Sequence, residues 1–374
     1  MKRMEKQLTR VAVDAMGGDF APHEVVVGAV EAVAGQPSVK VLLVGQKDRI
    51  EAEFAILRKD KDLSKALEKA LASERFEIVP ASEVLEMDEE PARGIRSKKD
   101  CSINVCMQLV KDGRADAMMS AGNSGAVAAS AMFTLKRIDG VARPAIAMIV
   151  PTRIPNKPLV LLDSGANTDC HPEWLAQWAI MGSTYSKAVF HQKDPAVGLM
   201  SIGTEDCKGN ELVHNTFPLL KNLKSINFKG NMEGHDVATG EIDVAVCDGF
   251  VGNVVLKTVE SVAKAVGSWL KAELMKTVFR KFCAFLLKPA FKSLKRQMDP
   301  EVYGGAPLLG VNGTVFITHG SSTHKGIFHA VRVTAEAVRN GMTNEIAAAI
   351  SAYEAEKTAA ETKHAAEKLA STLS

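Results

Sequence analysis

The chain has 374 residues, 46% of them hydrophobic, which is enough to bury a large core. A net charge of +2 with only 5% aromatic residues argues against a nucleic-acid-binding face, which needs a basic surface and stacking rings. The opening MKRMEKQLTR is polar and lacks the apolar run of a signal peptide, and no stretch has the length of a membrane span, so a cytoplasmic protein is expected.

Strand and helix patterns alternate from Arg10 onward. VAVDA reads as a strand, and HEVVVGAVEAVAG has the helical spacing Val26, Ala29, Val30, Val33. VKVLLVG is a near-continuous apolar run, as in a strand buried on both faces. Charged helices follow over Gln46 to Leu71, then the strand RFEIVPAS, a helix over Ser97 to Val110, and the strand ADAMMSAG. Further strands are expected in Ala145 to Pro151, Leu159 to Asp163, Val197 to Ile202, Ile226 to Phe228, Asp243 to Cys247 and Val315 to Thr318. Strands separated by helices predict right-handed crossovers and a mostly parallel sheet. The pattern predicts one large α/β domain over 10–345, with a helical or frayed Ala/Glu/Lys-rich tail over 346–374 that carries no chemical role.

Five apolar runs end in a glycine- and polar-rich turn before a helix: Val11 to Asp19, Ala117 to Ala126, Leu159 to Asp169, Asp243 to Asn253 and Thr314 to Ser322. In an open parallel sheet such strand ends share one edge, where ligands bind, and each helix start attracts an anion. Gly122, Asn123, Ser124 and Gly125 form the clearest anion loop, although Asn123 or Ser124 also suits a helix cap. The loop is not a Walker loop, a dinucleotide fingerprint or a nucleophile elbow. Asp14 and Asp19 flank the Gly17-Gly18 turn, Asp163 and Asn167 bracket a similar one, and Asp248 leads through Asn253 to Lys257. Each Asp is either a cap or part of a polar site. Arg93, Arg96, Lys98 and Lys99 form a basic run, either a solvated face or countercharge for phosphate or an acidic partner. His319 ends a strand, suited to acid/base work or to holding its loop.

The six cysteines form no Cys-x-x-Cys pair, and His319, His324 and His329 are spaced to spread around a helix, so no metal is expected. From Lys264 to Arg296 there are nine Lys or Arg and one acidic residue, Glu273. Met275, Val278, Phe279, Phe282, Phe285 and Leu286 fall on one helical stripe opposite Arg280, Lys281 and Lys288, and Pro289 bends or ends that helix. Such a helix either packs on the protein or a second subunit, as most do, or lies on an anionic membrane.

These strings resemble the phosphate acyltransferases of bacterial phospholipid synthesis, the PlsX family. The resemblance rests on VAVDAMGGDFAP, RSKKD, SAGNSGA, ARPA, DSGANTD, VGLMSIGTEDCKGNEL, NFKGNMEGHD, CDGFVGNVVLKT, GGAPLLG and HGSS, from about Val11 to Asn344. The departures are Ser201 where the family has Asn, Ser124 where Thr is common, and Cys101 where Ser is common. The resemblance implies a three-layer α/β/α fold with a mostly parallel sheet, like isopropylmalate dehydrogenases and phosphotransacetylases. It implies transfer of a long-chain acyl group from acyl carrier protein to inorganic phosphate, giving acyl phosphate for a membrane glycerol-3-phosphate acyltransferase. No cofactor is implied, because a thioester is already activated. The resemblance also implies a homodimer associated peripherally with membrane through a helical tip. That tip falls on 260–298, with Phe279, Arg280, Lys281, Phe282, Phe285 and Leu286 as contacts. The catalytic candidates are Asn253, Lys257 and His319. Phosphate or substrate is assigned to Asp14, Gly17, Gly18, Lys98, Lys99, Gly122, Asn123, Ser124, Gly125, Asp163, Asn167, Glu205, Lys208 and Asp248. Three alternatives stand beside this reading: a short-chain phosphotransacetylase-like enzyme, a nicotinamide-dependent dehydrogenase, and a non-catalytic membrane-surface scaffold.

Overall fold

The near-continuous apolar runs become the centres of two sheets. In the computed structural model residues 8–297 and 300–373 are described. The first seven residues of the polar N-terminus, Met298 at the end of the expected tip, and Ser374 at the end of the tail lie outside the described residues.

The first half runs β1 (Thr9–Asp14), α1 (His23–Gly35), β2 (Val39–Gly45), α2 (Lys47–Leu57), α3 (Lys61–Leu71) and β3 (Phe76–Pro80). Then come α4 (Pro91–Ser97), α5 (Ser102–Lys111), β4 (Ala117–Ser120), α6 (Ser124–Thr134), β5 (Ala145–Ile146) and β6 (Met148–Val150). The second half runs β7 (Leu159–Leu162), α7 (Pro172–Phe190), β8 (Ala196–Met200), α8 (Glu211–Asn222), β9 (Asn227–Met232) and β10 (Val244–Val246). It closes with α9 (Gly249–Leu274), α10 (Val278–Leu286), α11 (Lys288–Gln297), β11 (Ala306–Leu309), β12 (Thr314–Ile317), α12 (His324–Arg339) and α13 (Met342–Leu373).

The sheets have seven strands in the order β3-β2-β1-β4-β12-β11-β5 and five in the order β6-β7-β10-β8-β9. Pairing is parallel except at β12–β11, β11–β5 and β6–β7. The expected mostly parallel α/β architecture is therefore present, but in two sheets. The five glycine turns accordingly do not share one edge. Those after β1, β4 and β12 belong to the larger sheet, and those after β7 and β10 to the smaller. The switch lies in what reads as one strand over Ala145 to Pro151. Ala147, buried between β5 and β6, gives its N–H to Pro307 O at 3.0 Å, and the next three residues join the other sheet. The helix expected over Ser97 to Val110 is α5, which begins only at Ser102, and a separate short helix, α4, precedes it over Pro91–Ser97.

In the larger sheet the strand order runs outward from β1 through β2 to β3, then returns to β4 on the other side of β1. The smaller sheet does the same, with β10 inserted between β7 and β8. Each sheet thus has a point where successive connections diverge, and crevices form there. One contiguous core joins residues of both sheets, from Val11 and Val13 to Val160, Leu162 and Val197, with α7 through its middle. Trp178 and Tyr185 of α7 are fully buried, and Trp178 Nε1 donates to Arg143 O at 2.9 Å. A helix apolar on most of its circumference belongs inside.

α9 is the opposite case. Of its 26 residues only Gly249 and Gly252, in the first turn, are buried. The expected single basic amphipathic helix is broken at Met275–Lys276, and the Thr277 side chain caps α10 by accepting from Arg280 N at 3.2 Å. Pro289 lies in the first turn of α11, where a missing N–H costs nothing. Among the described residues, no helix is long and apolar enough to cross a membrane.

Candidate active site

The turns after β1, β4 and β12 interlock. A Cβ added to Gly17 would lie 2.6 Å from Gly122 N, and one added to Gly18 would lie 3.0 Å from Gly320 O. Asp19 N donates to Gly320 O at 2.8 Å. Gly18 has φ 109°, a backbone open mainly to glycine, so two adjacent glycines here are required by sterics.

Asp14 lies beneath this knot, 1% exposed. Its Oδ2 accepts from Ser120 Oγ at 2.6 Å and its Oδ1 from Met16 N at 3.1 Å. Ser120 Oγ in turn accepts from Gly122 N at 3.0 Å. Burial pushes the Asp14 carboxyl above its ordinary value, against the opposing pull of the Ser102 and Ser120 hydroxyls and the Met16 and Gly17 amides. Asp14 is therefore spent on the scaffold, setting the Gly122 turn through Ser120. Sequence reasoning missed Ser120 and Ser102; a serine closing the strand AMMS was the available signal.

In the Gly122 loop, Asn123 caps α6, its Oδ1 accepting from Ala126 N at 3.1 Å, and its Nδ2 donates to Met87 O at 3.0 Å. Ser124 and Gly125 are exposed, and among the described hydrogen bonds their amides have no acceptor. A Cβ on Gly125 would lie 2.9 Å from Pro91 Cγ, so the start of α4 abuts this loop. Lys98 is committed elsewhere, its Nζ bonding Glu89 Oε1 at 2.5 Å and Val84 O at 2.8 Å. Hydrogen bonding to Glu89 raises its pKa. Lys99 is exposed. His319 is exposed; its Nδ1 accepts from Ser321 N at 3.1 Å and lies 2.7 Å from Ser321 Oγ. An Nδ1 that accepts a backbone N–H places the ring proton on Nε2 in the neutral imidazole.

The smaller sheet gathers the other candidates. Asp163 is fully buried and accepts from Ile146 N at 3.0 Å, Asn167 N at 2.7 Å and Asn167 Nδ2 at 3.1 Å. Burial raises its carboxyl above the ordinary value, opposed by those same donors. Asn167 Nδ2 also reaches Pro144 O at 2.9 Å. This pair therefore pins the turn after β7 to the seam between the sheets, because Ile146 belongs to β5. Asp248 caps α9 by accepting from Val251 N at 2.8 Å. Gly249 N donates to Asn167 O at 2.7 Å. Asn253 is exposed, beside Gly165, whose added Cβ would lie 3.7 Å from Asn253 Cβ. Lys257 Nζ pairs with Glu260 at 3.1 Å on the exposed flank of α9. Glu205 and Lys208 are exposed on the turn after β8, held by Asn231 Nδ2, which donates to Glu205 O at 2.8 Å. Apart from Lys98 and Lys99, the candidates fall into two clusters. Asp14, Gly17, Gly18, Gly122–Gly125 and His319 gather on the larger sheet, and Asp163, Asn167, Glu205, Lys208, Asp248, Asn253 and Lys257 on the smaller.

The thiols of Cys106 and Cys247 are buried, which raises their pKa well above that of a free thiol and leaves them unsuited to nucleophilic attack.

The family model described as "Fatty acid synthesis protein" matches residues 9–345. A "Phosphate acyltransferase" of Nostoc sp. is 47% identical over 343 residues, 92% of this chain and 96% of that protein. The chain belongs to the phosphate acyltransferase (PlsX) family. A second member, from Desulfitobacterium hafniense, is 48% identical over 338 residues, 90% of this chain and 96% of its own length. Membership makes this chain an acyltransferase. The fold is shared more widely. The phosphotransacetylase of Streptococcus pyogenes superposes with a TM-score of 0.59 at 17% identity, covering 90% of this chain and 96% of that one. The EutD phosphotransacetylase of Staphylococcus aureus gives 0.55 at 16% identity, covering 88% and 94%.

Proposed function

We propose that this acyltransferase moves a long-chain acyl group from acyl carrier protein to inorganic phosphate, releasing acyl phosphate for phospholipid synthesis. The observation that carries the reading is the Gly122 loop. It is a glycine-bounded helix start whose Ser124 and Gly125 amides have no acceptor among the described residues, held in place from below by Ser120 and Asp14. Free amides at the positive end of a helix suit a phosphate dianion. Phosphate held there attacks the thioester carbonyl; a C–O bond forms, the C–S bond breaks, and the phosphate proton passes to the departing thiolate. Positioning and oriented N–H donors supply the catalysis for an electrophile already activated. His319, with Nε2 as its protonated nitrogen, and Asn253 and Lys257 on the smaller sheet are the candidates to orient phosphate or stabilise the tetrahedral oxyanion. The test is thiol release from acyl carrier protein thioester. Release that requires phosphate and yields acyl phosphate is expected; release at the same rate without phosphate would overturn the reading.

The same reading includes a homodimer that touches anionic membrane reversibly, delivering acyl phosphate to a membrane glycerol-3-phosphate acyltransferase. It is supported by the exposed apolar stripe of α10, where Val278, Phe279 and Phe285 are 83%, 76% and 70% accessible beside Arg280 and Lys281.

A further inference from the structure

A groove of about 550 Å³ lies between α4, α5 and α6, lined among others by Ile95, Arg96, Lys99, Asn104, Gln108 and Phe133. Several cations of the first half are engaged in ion pairs: Arg10 with Asp116, Lys40 and Arg114 with Glu77, Lys98 with Glu89. Among the described residues, Arg93, Arg96 and Lys99 have no ion pair. Arg93 and Arg96 are one turn apart on the same face of α4. Arg96 lies over the Phe133 ring, 4.9 Å from its centroid, and that ring is 48% exposed. The acidic members of the lining are turned to local bonds. Asp100 accepts from Ser82 N and Oγ, and Asp112 from Gln108 Nε2. An exposed ring flanked by unpaired guanidinium and ammonium groups is the composition of a protein-binding patch for an acidic surface.

Position gives the patch its meaning. α4 has seven residues, about 10 Å at 1.5 Å per residue. Its first residue, Pro91, abuts Gly125 of the anion loop. The groove therefore begins one short helix away from the loop assigned to phosphate.

We propose that the α4–α5–α6 groove is the docking surface for an acidic face of the carrier protein that brings the acyl thioester, an inference that rests on the acyl-transfer reading above. The carrier's carboxylates would pair with Arg93, Arg96 and Lys99, and an apolar side chain would sit against Phe133 and Ile95. The thioester would then reach the Gly122 loop past Pro91.

Direct binding of acyl carrier protein, read by fluorescence anisotropy, tests the surface independently of turnover. The R93E/R96E variant is expected to weaken binding about tenfold or more, because rim charges of the wrong sign repel the partner. Wild-type binding should weaken with added salt, and the variant's should not. In turnover, the KM for the carrier thioester should rise while kcat and the KM for phosphate stay within about twofold. Equal binding by wild type and a folded variant overturns the proposal. Failure of the acyl-transfer reading looks different: wild type then releases no thiol in a phosphate-dependent manner, whatever its affinity for the carrier. Should R93E/R96E not fold, R96Q keeps the test, with about threefold weaker binding expected and unchanged binding overturning it.

Discussion

The two ends of α9 obey opposite rules. At its first turn the helix is clamped: a Cβ on Gly252 would come 1.9 Å from Asp163 O, and one on Gly249 2.5 Å from Asn167 O. Fifteen residues on, Gly267 has nothing within 4 Å, and Trp269 is 70% exposed. The first turn is shaped by the polar seam of this chain. The remainder presents Val262, Val266 and Trp269 to whatever lies outside it. An amphipathic pattern thus reports that an apolar face exists, and the packing decides whether this chain covers it.

The largest effect that can break this contrast is Gly252→Ala. With backbone oxygen at 1.9 Å the methyl group cannot be accommodated by a side-chain rotation. A loss of about 3 kcal/mol or more in urea unfolding is expected; a loss under about 1 kcal/mol would show that the clamp is loose. Asn123→Ala removes the α6 cap and should cost about 1 kcal/mol. It should also raise the KM for phosphate; unchanged phosphate kinetics would separate the loop from the anion. Gly267→Ala should instead raise stability by about 0.5–1 kcal/mol, since alanine is the better helix former and meets no neighbour within the chain. A loss there, read beside a sizing column, would reveal a partner helix packed on that position.

Asp14 supplies a pH signature for the buried side of the comparison. Its folded-state pKa is raised, so the protonated form favours folding; that contribution is complete below the unfolded value and is lost as pH rises through the folded one. The stability of wild type relative to Asp14→Asn should therefore fall as pH increases above the ordinary carboxylate range. A difference between the two proteins that is flat from pH 3 to 8 (about five units spanning both states) would refute it. The smallest folding effect belongs to the exposed side. Phe279→Ser with Phe285→Ser should change stability by about 0.5 kcal/mol or less while weakening co-sedimentation with anionic vesicles. Joint loss of dimer and activity would place the stripe in a subunit interface instead.

Much of this was legible in the chain because it depends on local chemistry. Gly18 needs a positive φ, Asp248 and Asn123 precede helices they cap, and VKVLLVG is apolar but for Lys40. The roles of Asp14, Asp163 and Asn167 were not. Asp14 and Asp163 stand at strand ends and Asn167 in the turn that follows one, where cap, ligand and scaffold share one sequence signature; only burial and partners separate them.

Local chemistry sets the alternation of strands and helices, the positions of the five turns and the basic apolar stripe of α10. These follow from hydrophobic period and backbone sterics within a few residues of each site. Long-range packing sets what those pieces meet. It divided the strands between two sheets at Ala147, and sank Asp14 and Asp163 beneath the turns they were expected to line. It also brought Arg96 over Phe133 from 37 positions away and set α4 against Gly125. The reason is physical: burial and hydrogen-bond partnership arise from contacts between residues distant in the chain, and no local pattern encodes the distance between them.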